Sequence, residues 1–304
     1  MYTRITNQTL NFSAQRNLQT NKVALDKLQE QGSSRQAINR PSDDPVGTAK
    51  SLQVRNAQAA NAQYGRNIDD GNGWLDTADS TLTTTTNIMN RVRDLTVQGA
   101  NDGAMSPTAR QAIASELSSL KSELLNQANS TYLGRSIFAG NSTAGAAFDT
   151  TTYAYTGDPT NVSTVQRRVD ANTLVRVDAN GAATFGVVDT VNPAADTSVF
   201  TLIDNIVGDL NNGPNVGARL TEIDKRMEEI SGQQAVIGTN QTMLARASDA
   251  NANRTLALES QRSSVEDVDL SKVILDLQTQ QITYQASLAI TAKVLQPSLM
   301  DFLR

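Results

Sequence analysis

Apolar residues recur along this chain in alternating steps of four and three, and the alternation holds over long distances. Val216, Leu220, Ile223, Met227, Ile230, Ile237, Leu244, Leu258 and Val265 share one such stripe. Gln234, Gln241, Ser248, Asn251, Thr255 and Arg262 fill it where it turns polar. A 4/3 alternation keeps a narrow apolar line on one side of a helix, which is the seam of a coiled coil. The prolines are Pro41, Pro45, Pro107, Pro159, Pro193, Pro214 and Pro297, so nothing forbids continuous helix between Pro45 and Pro107 or between Pro214 and Pro297. An unbroken helix from Val216 to Val265 spans about 74 Å at the α-helical rise. That length predicts a rod.

After a stutter the stripe restarts at Leu270 and passes through Ile274, Leu277, Gln281, Tyr284, Leu288, Thr291 and Leu295. Leu299, Met300, Phe302 and Leu303 follow as an apolar end. The first proline-free interval answers with Val54, Ile68, Leu75, Leu82 and Met89 on one heptad position, Asn61 interrupting and Val92 and Leu95 extending the stripe. Ser106 and Pro107 read as the N-cap and first residue of a further helix, carried by Ile113, Leu117, Leu120 and Leu124 and ending near Gly134. Leu18, Leu25 and Leu28 predict another helix near the N-terminus.

The pattern breaks between Gly140 and about Asn192, where Thr, Val, Asn, Asp and Gly dominate. Short strands are predicted over 165–169, 173–178 and 184–188, with Asp178-Ala179-Asn180-Gly181 as a hairpin turn. The expected fold is mostly α: a long helical rod and coiled coil formed by the N- and C-terminal segments, with a small inserted β domain. The expected division is residues 1–40 with 266–304 as a terminal coiled coil, 41–140 with 193–265 as the rod, and 141–192 as the insert. On this division the insert is an outward module whose removal leaves the helices folded.

Composition narrows the function. Aromatics are 4% and hydrophobics 38%, thin for a compact globule of 304 residues but enough for narrow seams between helices. The net charge is −5 with no basic run, which argues against nucleic acid and anionic membranes as partners. The absence of cysteine and histidine removes disulfides, thiol chemistry, His-centred triads and the His-Glu-x-x-His zinc site of a peptidase. No stretch approaches the roughly 20 apolar residues of a membrane helix. The opening Met1-Tyr2-Thr3-Arg4-Ile5-Thr6-Asn7-Gln8 lacks the apolar run of a secretory signal. No cofactor, metal or catalytic residue is expected.

The motifs that invite chemistry have structural readings. Asp43 and Asp44 form a carboxylate pair, but Asp44 before Pro45 is placed to cap a helix. Gly134-Arg135-Ser136-Ile137-Phe138-Ala139-Gly140 lacks the lysine of a phosphate loop, and its glycines are expected to end the preceding helix. Arg91 and Arg93, near Asp94, are expected to form solvated ion pairs. The acidic run from Val265 to Asp269 suits a solvated face or a helix start.

Several of these segments resemble one family. Leu28-Gln29-Glu30-Gln31, then Ile38-Asn39-Arg40-Pro41-Ser42-Asp43-Asp44-Pro45, is similar to the N-terminal turn of flagellins and their hook–filament junction relatives. The two prolines around Ser42-Asp43-Asp44 follow the junction branch, where flagellins carry small residues. Arg91-Val92-Arg93-Asp94-Leu95-Thr96-Val97-Gln98 resembles a helical block shared by both branches. Gly134, Arg135, Phe138 and Gly140, then Phe148, resemble the border of the junction insert. Glu266 to Leu270, Tyr284 to Leu288 and Leu295 to Leu303 resemble the C-terminal helix. Departures fall at Arg35, where relatives have glycine, at Gly32, where they have an apolar residue, and at Ser136, where they have an aromatic.

The resemblance implies a structural subunit, extracellular in a bacterial flagellum, exported without a cleaved signal peptide. Its partners would be further copies in a ring, the hook-side junction protein, flagellin, an export chaperone and the flagellar type III export apparatus. A filament-forming flagellin is the alternative. The terminal segments would order only against neighbours. The assembly seam would then be Leu270, Ile274, Leu277, Tyr284, Leu288, Leu295, Leu299, Phe302 and Leu303.

Overall fold

A computed structural model describes residues 7–100, 105–158, 163–188, 196–212 and 216–295. Its order is α1 (Asn7–Ser34), α2 (Pro45–Ala100), α3 (Pro107–Ala128), β1 (Thr131–Tyr132), β2 (Arg135–Ser136), β3 (Gln166–Arg168), β4 (Leu174–Arg176), α4 (Gly181–Phe185), α5 (Val199–Asn212), α6 (Leu220–Glu266) and α7 (Leu270–Leu295). A 3₁₀ turn, Val216–Arg219, leads into α6. The chain is mostly helical, as the periodicity predicts. It divides into one unit of Met1–Ala60 with Arg254–Arg304 and a second of Asn61–Asn253.

The second unit is built on the two heptad stripes. Ile68, Leu75, Leu82 and Met89 of α2 are buried, and so are Ile223, Ile230, Ile237 and Leu244 of α6. The helices run antiparallel: Asn61 bonds Asn251, Asp76 accepts from Gln241 at 3.1 Å, and Arg93 pairs with Asp224 at 2.7 Å. Leu244 packs against the bare backbone of Gly71. α3 starts as expected, with Ser106 capping the amide of Ala109 and Pro107 in the first turn. It packs against α5.

Four local expectations are corrected. First, α3 ends at Ala128 with Asn129 as C-cap, short of Gly134. Gly134, at φ +78°, instead turns the chain between β1 and β2. Second, the hairpin of β3 and β4 turns at 169–173, where the Val169 amide donates to the Thr173 carbonyl. Asn180 is a helix cap, accepting from the Ala183 amide, and not part of a hairpin turn. Third, the strand expected over 184–188 does not form: Thr184 and Phe185 end α4, whose start is capped by Asn180, and residues 186–188 are irregular. Fourth, α5 is a separate short helix within residues 193–265, which were expected as part of the rod. Val199, Phe200, Leu202, Ile203, Ile206 and Leu210 are all buried along it.

The strand-bearing segment does not form a separate core. Ala147, Phe148, Val165, Val169, Val175, Val177, Ala179 and Phe185 belong to the same apolar cluster as Ile68, Leu75, Leu117 and Ile203. Phe148 meets Phe185 edge-on at 5.6 Å and Phe200 at the same centroid distance. Arg167 of β3 is ion-paired to Asp70 of α2 at 2.5 Å. A segment that shares its core with the helices is not expected to be removable without loss of that core. Ser136 is buried in this unit, and among the described residues its hydroxyl has no hydrogen-bond partner, at the position where the resembled family carries an aromatic.

Candidate assembly site at the paired chain ends

The first unit pairs the two ends of the chain. α1 and α7 lie side by side. Asn21 Nδ2 donates to Ser287 Oγ at 2.6 Å, Gln280 donates to the Asn21 carbonyl at 3.1 Å, and Val273 lies beside Gly32. Val273, Gln280 and Ser287, spaced by sevens, thus face α1. Leu277 and Tyr284 are half-buried. Leu270, Ile274 and Leu288 remain 38%, 51% and 44% exposed. The stripe expected from sequence straddles this contact and does not coincide with it. Leu275, Ile282 and Ile290 are exposed as well. The α7 backbone ends at Leu295, and Leu299, Phe302 and Leu303 lie outside the described residues.

Between α1 and α2 the chain makes a tight turn held by its own polar groups. Arg35 has φ +58°, a conformation that favours glycine, which is what the resembled family places there. Gln36 forms a β-bridge with Asp267, the Ala37 amide donates to the Glu266 carbonyl at 2.7 Å, and the Val268 amide donates to the Arg35 carbonyl at 3.3 Å. Asn39 is half-buried, while Pro41 and Ser42 are exposed. Asp43 accepts from the Arg40 amide at 2.9 Å. Arg40 also reaches Glu30 of α1 at 3.2 Å. Asp44 accepts from the Val46 and Gly47 amides at 3.1 and 2.9 Å, capping α2 behind Pro45. A side chain at Gly47 would collide with Asp44 and Ile38. The carboxylate pair is occupied by backbone amides.

A buried carboxylate locks this turn: Glu266, expected within an acidic run on a solvated face or at a helix start, instead ends α6 and is buried. Glu266 takes Arg55 on both oxygens at 2.6 and 2.8 Å, Ser51 at 2.5 Å and Arg262 at 3.2 Å. Its side chain is 6% exposed. The hydrogen bond from Arg55 is the largest cause holding its pKa down to about 2, against burial, with Ser51 and Arg262 adding to it. A carboxyl depressed in the folded state stabilises fully above its unfolded pKa and loses that contribution as pH falls through its folded one. Stability linked to Glu266 should therefore fade from about pH 4.5 to about pH 2. Glu266→Gln should cost about 2 kcal/mol at neutral pH and flatten that acid limb. Urea melts at several pH values measure both, and an unchanged acid limb excludes the assignment.

In the second unit Arg91 pairs with Glu116 of α3 at 2.5 Å, and Arg93 with Asp224 of α6. Both ion pairs reach another helix, while the neighbouring Asp94 adds a weaker attraction on Arg93. Leu95 is buried and Gln98 exposed. Arg135 donates to Asn141 at 2.8 Å, and Phe138 is fully buried. Gly140 has φ +61°, and a Cβ there would meet the Ser163 carbonyl. The structure distributes these residues over two units. Among the described residues no cluster of acidic side chains fits a metal ion, and no helix is long and apolar enough to cross a membrane.

This is the arrangement of an assembly subunit: paired terminal helices with apolar flanks left over, joined to an antiparallel helical coil. The sequence places it further. The family described as the bacterial flagellin N-terminal helical region matches residues 5–143, and the bacterial flagellin C-terminal helical region matches 220–303, more than half of the chain together. The chain belongs to the flagellin family. It is 29% identical over 280 residues to flagellar hook-associated protein 3 of Salmonella typhimurium, covering 86% of this chain and 87% of that one. It is 28% identical over 292 residues to flagellin of Bacillus subtilis, covering 92% of each. Its fold matches a putative flagellar hook-associated protein from Vibrio parahaemolyticus with TM-score 0.64 at 21% identity, over 74% of this chain and 100% of that one.

Proposed function

We propose that this chain is a structural subunit of the hook–filament junction of the bacterial flagellum. The observation that carries the reading is the turn at Pro41-Ser42-Asp43-Asp44-Pro45. There two carboxylates are spent on backbone amides, and Glu266 anchors Ala37 and the first turns of α2. That turn has the proline-flanked form of the junction branch, and the likeness to hook-associated protein 3 of Salmonella typhimurium supports the same branch. Its work is mechanical. Copies form a ring whose contacts use the apolar flanks of α7, with a second junction protein on the hook side and flagellin on the other. Export proceeds through the flagellar type III apparatus with a chaperone covering the terminal helices.

The likeness to Bacillus subtilis flagellin favours a second reading, a filament subunit. Electron microscopy of flagella from a strain lacking this chain separates the two. Hooks without filaments, together with intact flagellin in the medium, are expected. Intact filaments reject the junction role. Hooks without filaments and without any other flagellin in the medium give the filament role instead.

A further inference from the structure

The seam between α2 and α6 has an ambiguity that its apolar residues do not resolve. Ile68, Leu75, Leu82 and Met89 stand at sevens on one helix, and Ile223, Ile230, Ile237 and Leu244 at sevens on the other. A slip of one heptad sets aliphatic against aliphatic again through most of the run, so burial alone distinguishes the two registers weakly.

Asn61 and Asn251 break the ambiguity. Both occupy the heptad column and face each other across the coil. Asn61 is 4% exposed. Asn251 Nδ2 donates to the Asn61 carbonyl at 2.8 Å and to Asn61 Oδ1 at 3.0 Å. Asn61 Nδ2 donates back to the Asn251 carbonyl at 3.1 Å. A slip in one direction puts Asn61 against Leu244 and Asn251 against Val54. A slip in the other puts Asn61 against Leu258 and Asn251 against Ile68. Either way two amides lose each other inside an apolar seam, which is unfavourable. Gly65 supports the arrangement. A Cβ there would stand 3.3 Å from Asn251 Oδ1, so the glycine leaves room for the amide.

We infer that the Asn61–Asn251 pair sets the register of α2 against α6. It gives up some apolar burial in exchange for one alignment. The inference concerns how the chain aligns itself and holds for either reading of the assembled function.

The chain has no cysteine, so introduced pairs report register without background. Asp76→Cys/Gln241→Cys probes the native alignment, since these side chains bond across the coil at 3.1 Å. Asp76→Cys/Gln234→Cys and Asp76→Cys/Ser248→Cys probe the two slipped ones. In the Asn61/Asn251 background only the first pair should be bridged by a short bifunctional thiol cross-linker, which spans more than the reach of a disulfide. With Asn61→Leu/Asn251→Leu the chain should melt no lower, and the native-to-slipped cross-link ratio should fall at least about tenfold. Asn61→Leu alone strands one amide and should melt below both. A double-leucine chain that keeps only the native cross-link overturns the inference. One that fails to fold, or a single variant as stable as the parent, overturns it too.

Discussion

Leu288→Asp should abolish filament growth while leaving the secreted chain folded. Leu288 lies on α7 beside the α1 contact and is 44% exposed, so an aspartate there remains solvated in the free chain. Surface substitutions of this kind shift stability by no more than about 0.5 kcal/mol. Assembly reverses the balance. Leu270, Ile274, Leu275, Ile282, Leu288 and Ile290 leave apolar surface on α7 beyond what α1 covers, and exposed apolar surface of this extent marks an interaction site. An unpaired carboxylate inside such an interface costs about 3–5 kcal/mol, a factor of hundreds or more per contact. Circular dichroism of the secreted variant should match the parent, while electron microscopy should show bare hooks. Normal swimming would remove Leu288 from the interface.

The other large effect concerns the strand-bearing segment. Replacing residues 142–192 by a Gly/Ser linker should unfold the second unit. The length change itself matters little, because closure entropy grows only with the logarithm of loop length. What disappears is Phe148, Val165, Val169, Val175, Val177 and Phe185, all buried in one cluster with the helices. Phe138, Phe200 and Ile203 lose their cover. A single buried Phe→Ala costs about 3–5 kcal/mol, and a whole domain is stable by about 5–15 kcal/mol, so the deletion exceeds what the unit has. Thermal melting followed by circular dichroism should lose its cooperative step. A variant that melts like the parent would show that the helices need no such cover. Phe148→Ala should lower stability by about 4 kcal/mol without changing helix content below the transition.

The long helices were legible because a heptad period repeated over dozens of residues has no alternative explanation, and the prolines bounded it. The cap at Ser106 and the Asp44-Pro45 start of α2 were legible because capping chemistry is local. The middle region was not, for an equally physical reason. Asn180 before Gly181 suits a hairpin turn and a helix cap alike, and the decision rests on which backbone amides lack partners in the folded chain. α5 carried a readable apolar spacing at Val199, Leu202, Ile203, Ile206 and Leu210, within the residues expected as part of the rod. In the site, the turn was visible as a motif, whereas Glu266 as its buried anchor was not. Its three partners, Ser51, Arg55 and Arg262, include two more than two hundred residues away in sequence. Periodicity found α7 but not the column that meets α1, since Gln280 and Ser287 make that contact with polar groups.

The pairing of α1 with α7 also dictates an order of events. Asn21 waits for Ser287, 266 residues later, whereas Asn180 finds Ala183 at once and α3 meets α5 within the same unit. Closing so long a span is entropically the most demanding step and comes after the nearer contacts that shorten it. A ribosome makes α7 after every other described element. Until then α1 has no lengthwise partner, and the Glu266 lock on its turn is missing as well. A chain truncated between Asn253 and Glu266 still has every residue of the second unit, but none of the lock. The folded first unit thereby certifies that translation has run past α6, and a subunit cut short carries an open end where a finished one carries a closed pair.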